Sequence, residues 1–245
     1  EWGSPWGVGF PGWHIECSAM SVSKLGQPFD IHTGGIDLIF PHHENEIAQS
    51  TAGKENPTYA NYFAHNGHLY VEGKKMSKSL NNFYTLEDVQ AKGFDPQVFR
   101  LVVLQSHYRS QANFSWEILE AAQNRLNRWR DAIDLMWQED AAADSTFQDT
   151  DYSDRIKQAL QDDLNTPKAL TVIDEAISQL EQLHICKPCI ENFANDIKLL
   201  LGIDLLAGKI DISDAQKELL AERQAARNNK QWDQSDKFRD QLKAD

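Results

Sequence analysis

The sequence contains the stretch Lys75-Met76-Ser77-Lys78-Ser79, which places two ammonium groups three positions apart among hydroxyl side chains. Mobile lysines on such a loop can hold a polyphosphate while negative charge shifts to the leaving group. A solvated basic turn would have the same composition. The stretch, hereafter the lysine loop (residues 75–79), therefore predicts phosphate binding only if other parts of the sequence supply matching chemistry.

The sequence before the lysine loop contains three potential metal ligands. His42 and Glu46 are four positions apart, so they project from one face of a helix that begins after Pro41. The thiolate of Cys17 completes a sulfur, nitrogen and oxygen donor set that suits zinc. For Cys17 alone, a buried structural thiol is the alternative. Taken together, the three residues predict a zinc site.

Four segments of the chain resemble, in the same order, the pattern of cysteinyl-tRNA synthetases, which are class I aminoacyl-tRNA ligases. The segments are residues 12–20 (Gly-Trp-His-Ile-Glu-Cys-Ser-Ala-Met), residues 40–50 (Phe-Pro-His-His-Glu-Asn-Glu-Ile-Ala-Gln-Ser), the lysine loop, and residues 107–111 (His-Tyr-Arg-Ser-Gln). The lysine loop alone marks class I in general, whereas the two segments with zinc ligands are more specific. The resemblance covers essentially the whole chain but only part of the family's length.

The resemblance implies an α/β fold: the second half of a class I nucleotide-binding (Rossmann-like) catalytic domain, followed by an all-α helical bundle. It implies a cytoplasmic, monomeric enzyme without membrane contact that activates L-cysteine with ATP and transfers it to tRNA(Cys). One zinc ion per chain, held by Cys17, His42 and Glu46, would bond the substrate thiolate and so select cysteine. Mg²⁺ would accompany ATP. Lys78, supported by Lys75, is the expected catalytic group that stabilises the departing phosphates.

The segment from His32 to Asp37 is a third candidate for ligand binding. Glycines after a strand let a ligand approach the backbone, and Asp37 can accept hydrogen bonds from a ribose or an ammonium group. A bare turn would look the same. By resemblance, the segment lies against the aminoacyl-adenylate. The residues that the resemblance assigns to ATP and substrate binding, besides Lys78, are Trp13, His32, Gly34, Gly35 and Asp37.

Two features of the family do not occur in this sequence. Family members begin with a nucleotide-binding half that carries a His-x-Gly-His signature and a first zinc-ligating cysteine. We therefore expect the C-terminal part of a synthetase, with the fourth zinc ligand in the other half, and we expect the isolated chain to be inactive. Two alternatives stay open: the related cysteine–amino-sugar ligase of mycothiol synthesis, and a non-catalytic tRNA-binding fragment.

The sequence pattern divides the chain into three regions. Residues 1 to about 72 mix strand-like stretches, glycine-rich turns and a short helix, which is typical of the second half of an α/β domain. Residues 73 to about 115 contain the lysine loop and two predicted helices, over 86–92 and 96–105. From Trp116, apolar residues recur at steps of three and four, which predicts amphipathic helices. We expect a catalytic-domain remnant over residues 1–115, a tRNA-facing helical bundle over 116–202 and a C-terminal helical extension over 203–245.

Several local features of the helical region can be predicted. Thr166 is the expected N-cap of a helix over residues 167–182. The acidic stretch 138–154 predicts a solvated linker. The segment 186–189 (Cys-Lys-Pro-Cys) has no second Cys-x-x-Cys pair, so a non-catalytic loop is favoured over half of a zinc ribbon or a redox pair.

Charge and hydropathy limit the possible partners. The formal net charge of −13 over 245 residues argues at first against a nucleic-acid partner. Residues 73–130 nevertheless hold nine Lys and Arg against five Asp and Glu, so this basic belt could bind RNA phosphates. The alternative is that these arginines are ordinary helix-surface charges. No apolar run approaches the ~18 residues of a membrane-spanning helix, and three cysteines argue against a disulfide scaffold.

Overall fold

The first part of the chain is a small α/β unit in the computed structural model, which describes residues 1–52, 57–77, 79, 82–137, 149–182, 187–208 and 212–244. Its elements are β1 (Trp2–Ser4), β2 (Gly7–Gly9), α1 (Trp13–Leu25), β3 (Phe29–Gly35), α2 (Glu44–Thr51) and β4 (Ala60–Asn66). Strands β1 and β2 form an antiparallel hairpin. Strands β3 and β4 pair in parallel, with Ile31 opposite Tyr62. A 3₁₀ turn and a π-helical turn (Ile39–His43) join β3 directly to α2.

A three-stranded sheet carries the lysine loop. It contains β5 (Leu69–Val71), β6 (Lys74–Lys75) and β7 (Ala112–Phe114), with β5 in the centre, antiparallel to β6 and parallel to β7. Helices α3 (Leu86–Ala91) and α4 (Pro96–Leu104) lie between β6 and β7 in the sequence. Thr85 and Asp88 form a capping box at the start of α3, and Asp95 caps α4.

Helices make up the rest of the described chain. They are α5 (Trp116–Asp134), α6 (Asp149–Gln161), α7 (Thr166–Leu180), α8 (Lys187–Leu201), α9 (Asp214–Asn228) and α10 (Trp232–Ala244). The apolar stripes of α5–α8 meet in one core, where Leu126, Ile156, Ile173 and Phe193 are fully buried. Within the described residues, no helix is long and apolar enough to cross a membrane. The α/β start and the helical second part confirm the predicted fold class.

Three local predictions are wrong. Thr166 is the first residue of α7, and the N-cap is Asn165, whose side chain accepts a hydrogen bond from Lys168 N at 3.1 Å. The predicted linker ends too late, because residues 149–154 already belong to α6; residues 138–148 lie outside the described part of the chain.

The third wrong prediction concerns the Cys-x-x-Cys segment, residues 186–189. Cys186 lies outside the described residues, whereas Lys187, Pro188 and Cys189 form the first turn of α8 rather than a loop. Proline is tolerated at this place because backbone N–H groups in the first turn have no partner within the helix. Cys189 packs against the main core and is disulfide-bonded.

Candidate functional site

A buried carboxylate lies at the centre of the candidate site. Glu46, on α2, is fully buried. Its Oε2 atom lies 2.8 Å from Nε2 of His32 on β3, and its Oε1 atom accepts a hydrogen bond of 3.4 Å from the Tyr59 hydroxyl. Among the described residues, its ion-pair partners are histidines, with no Lys or Arg. A buried carboxylate needs a compensating charge, and a metal ion can supply it.

The structure brings the three predicted zinc ligands together. The turn of helix that precedes α2 carries His42, and its Nε2 atom is 3.7 Å from Glu46 Oε2. Helix α1 carries Cys17, and the three donor atoms all lie within 4.8 Å of one another. Ligand atoms around a tetrahedral zinc are about 3.3–3.7 Å apart, so a small inward adjustment would complete three coordination positions. The donor set therefore fits zinc in both chemistry and spacing.

Burial affects the protonation of this cluster. Burial raises the pKa of the Cys17 thiol, and the nearby carboxylates of Glu46 and Glu16 raise it further. Burial also lowers the pKa of His43 to about 4, with the neighbouring His32 adding to the effect. His43 is therefore neutral at pH 7 and can accept as well as donate a hydrogen bond.

A second set of potential ligands shares the same carboxylate. His32, His43 and Glu46 also place their donor atoms within 4.8 Å of one another. His43 is buried, and its Nδ1 atom lies 2.8 Å from Nε2 of His65 on β4. His43 thus packs within the cluster and is also within reach of Glu46. The site is thus a histidine-rich cluster around one carboxylate.

Residues on α1 support His42 from the other side. His14 Nδ1 and His42 Nδ1 are 2.7 Å apart, so one ring donates a hydrogen bond to the other. Trp13 stacks on His42 with 4.4 Å between ring centroids and is 58% exposed. These contacts orient the His42 ring and leave more than half of the Trp13 side chain exposed.

Sequence reasoning missed three members of this cluster: His14, Tyr59 and His65. His14 could have been found, because it lies three residues before Cys17 and so on the same side of α1. His65 lies on β4, and Tyr59 directly precedes that strand. No local pattern links either residue to Glu46. Only the pairing of β3 with β4 brings them to the site.

The glycines at the end of β3 have a structural role that is visible in the packing. A side chain at Gly34 would lie 2.8 Å from Cε1 of His43, and one at Gly35 would collide with the Asp37 carboxylate. Asp37 follows on an exposed turn, 3.9 Å from Nε2 of His68. This turn lies beyond the carboxyl ends of two parallel strands, where α/β proteins commonly bind ligands.

The lysine loop is described in part. Lys75 is exposed at the end of β6, where it pairs with Tyr70 of β5. Lys78 lies outside the described residues. The structure therefore describes the entry to the loop and not its second lysine.

The arginines of the basic belt have intramolecular partners. The closest N···O distances are 2.6 Å for Arg109–Asp163, 2.5 Å for Arg125–Asp174, 2.8 Å for Arg128–Glu181 and 2.8 Å for Arg130–Asp95. Their charges are offset by these carboxylates, so they attract RNA phosphates less than free arginines would. The geometry favours the interpretation of Arg125, Arg128 and Arg130, which lie on α5, as helix-surface charges, and Arg109 is a paired charge in the turn before β7.

A family model and a solved structure are similar to this chain and indicate the class of protein. The family model "tRNA synthetases class I (C) catalytic domain" matches residues 1–124. The fold is also similar to that of LeuRS from Agrobacterium radiobacter K84, solved as a ternary complex with tRNA and LeuAMS, with a TM-score of 0.56 and 15% identity. That similarity covers 74% of this chain and 28% of LeuRS and concerns the fold alone.

The curated relatives give the particular family. Cysteine–tRNA ligases from Methylocella silvestris and Azotobacter vinelandii are 43% and 44% identical to the chain, and the one from Chlamydia caviae is 40% identical. The alignments cover 99%, 100% and 98% of this chain, and 52%, 54% and 53% of the relatives. This chain belongs to the cysteinyl-tRNA synthetase family. It spans about half the length of the curated relatives that it matches.

Proposed function

We propose that this chain supplies the cysteine-selecting and phosphate-binding part of the active site of a cysteine–tRNA ligase. The substrates are L-cysteine, ATP and tRNA(Cys). The observation that carries the proposal is the cluster of Cys17 and His42 around the buried Glu46 carboxylate. A sulfur, nitrogen and oxygen set of this kind suits zinc, and membership of the family supports its role in selecting cysteine.

In this proposal, Cys17, His42 and Glu46 would hold one zinc ion, which would supply a bond to the substrate thiolate. A serine hydroxyl cannot form an equivalent bond at neutral pH, so the donor atom itself discriminates between the two amino acids. The fourth protein ligand comes from the portion of the relatives that this chain does not match.

The surrounding residues orient the ligands. The Nδ1 atoms of His14 and His42 share a hydrogen bond. We assign His42 as the donor, because that tautomer leaves its Nε2 lone pair for the metal. His32 and Tyr59 hold the two oxygens of Glu46. Trp13 provides an apolar wall for the amino-acid side of the pocket.

The remaining assignments concern ATP and tRNA. Lys78, with Lys75 supporting it, stabilises the departing phosphates, and Mg²⁺ accompanies ATP. Asp37, beside Gly34 and Gly35 at the end of β3, binds the adenylate. Residues 1–115 act as the catalytic part, 116–202 as the bundle that faces tRNA and 203–245 as a helical extension. Because four arginines of the basic belt are already paired, we expect only weak tRNA binding by the isolated chain, at low salt.

Cobalt(II) provides a direct test of the metal site, because thiolate coordination gives it a distinct absorption band. We expect one cobalt per chain and loss of the thiolate band in Cys17→Ala. Zinc should compete with cobalt for the site. Stoichiometric metal binding that is unchanged in Cys17→Ala would contradict the assignment.

Charging assays test the reaction. We expect no cysteine charging by the isolated chain, because the adenosine-binding signature of the family is not in this sequence. Addition of the N-terminal half of the Azotobacter vinelandii relative should restore charging of tRNA(Cys). Ligation of cysteine to an amino sugar, without tRNA charging, would instead support the mycothiol-type ligase. Charging by the isolated chain would contradict the proposal that the missing signature is required.

A further inference from the structure

The lysine loop is closed by a side chain that follows it. The amide of Asn82 is nearly buried, at 9% exposure. Its Oδ1 atom accepts a hydrogen bond of 2.8 Å from Ser77 N, and its Nδ2 atom donates one of 3.2 Å to the Lys75 carbonyl. One side chain therefore bonds to the two residues that flank Met76. Both bonds therefore connect a residue that follows the lysine loop to the first half of the loop.

Apolar packing holds the Met76 side chain and leaves the polar groups of the flanking backbone to other contacts. Met76 packs against the main core and lines a pocket of about 150 Å³, together with Leu69, Tyr84, Val89 and Phe114. The two hydrogen bonds of Asn82 are directional, and they restrict the backbone on either side of Met76.

We propose that Asn82 is a positioning residue that presets the lysine loop for phosphate binding. This rests on the proposed function, in which the loop binds the phosphates of ATP. Asn82 does not touch the phosphates. It holds the Lys75 carbonyl and Ser77 amide so that the backbone leading into the loop does not have to be ordered when phosphate binds. Preorganisation of this kind increases affinity because it lowers the entropy cost of binding.

The chain offers a matched control. Asn113, on β7, accepts a hydrogen bond of 2.8 Å from Gly73 N through its own Oδ1 atom. It is also an asparagine that bonds to the backbone near β6, but its bond does not span the loop. Asn82→Ala and Asn113→Ala thus remove the same type of side chain with different consequences for the loop.

The experiment measures binding of inorganic tripolyphosphate with Mg²⁺ to the chain by calorimetry at low salt. We expect Asn82→Ala to weaken binding about tenfold, the scale of one or two lost hydrogen bonds. Asn113→Ala should stay within about twofold of wild type. Amide exchange at Ser77 should accelerate in Asn82→Ala alone. Cobalt absorption at the Cys17 site and the far-UV circular dichroism spectrum should be unchanged, which shows that the variant is folded.

The outcomes separate the two proposals. If Lys78→Ala weakens binding but Asn82→Ala does not, the role of Asn82 is overturned and phosphate binding by the loop stands. If Lys78→Ala binds as tightly as wild type, phosphate binding by the loop is overturned, together with the role of Asn82. Should Asn82→Ala fail to fold, Asn82→Ser decides: it retains one hydrogen-bonding group and should bind with intermediate affinity, and wild-type affinity would overturn the proposal.

Discussion

Helices α5–α8 and the candidate metal centre are held together by different interactions. The helices share a large apolar core in which Leu126, Trp129, Ile173 and Phe193 are fully buried. Around the metal centre, the apolar cluster in the described residues is limited to Phe29, Tyr59 and Ala60 with a few partly buried neighbours. The metal centre is instead organised by hydrogen bonds among histidines and one buried carboxylate.

This difference indicates that the two regions depend on a ligand for their stability to different extents. Apolar burial stabilises α5–α8 without any ligand. The metal centre concentrates polar groups whose burial is unfavourable unless they are paired or bind a cation. We therefore expect the helical core to fold independently of zinc, and the cluster around Glu46 to depend on it.

Trp129→Ala should have the largest effect, on the helical core alone. Trp129 is fully buried, and its indole N–H donates a 2.7 Å hydrogen bond to Asp174. We expect a loss of about 3–5 kcal/mol in the free energy of unfolding, measured by urea denaturation. Trp232→Ala is the matched control, because Trp232 is 60% exposed; its effect should be within about 0.5 kcal/mol of zero.

Removal of zinc should accelerate amide exchange around the candidate metal centre and leave exchange in α5–α8 unchanged. At a free zinc concentration about 100 times the Kd, binding stabilises the site by about 2.7 kcal/mol. Chelation should therefore accelerate amide exchange in α1 and α2 by about 100-fold where exchange occurs through opening of the site. Exchange in α5–α8 should not change. Equal acceleration in both regions would show that the two are not independent.

Tyr59→Phe tests whether the hydrogen bond from Tyr59 orients the Glu46 carboxylate for metal binding. The variant removes the hydrogen bond to Glu46 Oε1 and keeps the aromatic ring in the small apolar cluster. We expect zinc affinity to fall about tenfold, as is usual when a residue that orients a metal ligand is removed. Tyr62→Phe is the control, because Tyr62 is an exposed tyrosine on β4, the strand that begins directly after Tyr59. Similar affinities in both variants would mean that Tyr59 does not orient the carboxylate.

The smallest effect is expected at the exposed ion pair between Arg109 and Asp163. Hydrogen bonds from Arg109 and Tyr108 lower the pKa of Asp163 to about 2. A lowered carboxyl pKa stabilises the fold at pH values above the ordinary value of 3.8, and this contribution is lost as the pH falls through about 2. In an NMR titration of the Asp163 carboxyl carbon, Arg109→Ala should raise the midpoint towards 3.8, and Tyr108→Phe should raise it less. Global stability at pH 7 should change little.

The local parts of the fold could be predicted where one signal dominates. The apolar stripe after Trp116 indicated α5, and Pro41 followed by His42 and Glu46 indicated the helical segment that presents two candidate ligands. The start of α7 was misplaced by one residue because Asn165 and Thr166 are both good capping residues, and the choice depends on backbone geometry. The helical turn at Lys187–Cys189 was missed because proline in a Cys-x-x-Cys segment is also typical of a loop.

The amino-acid sequence by itself determined the family, and it named Cys17, His42 and Glu46 as candidate zinc ligands and the lysine loop as a candidate phosphate-binding segment, because the spacing of a few reactive side chains is directly visible in it. Tertiary structure alone decided which groups surround Glu46, since Tyr59 and His65 reach the site only when β4 pairs with β3. It also decided that four arginines of the basic belt are paired with carboxylates from other elements. Both outcomes depend on contacts between residues distant in sequence, and such contacts are set by packing rather than by local pattern.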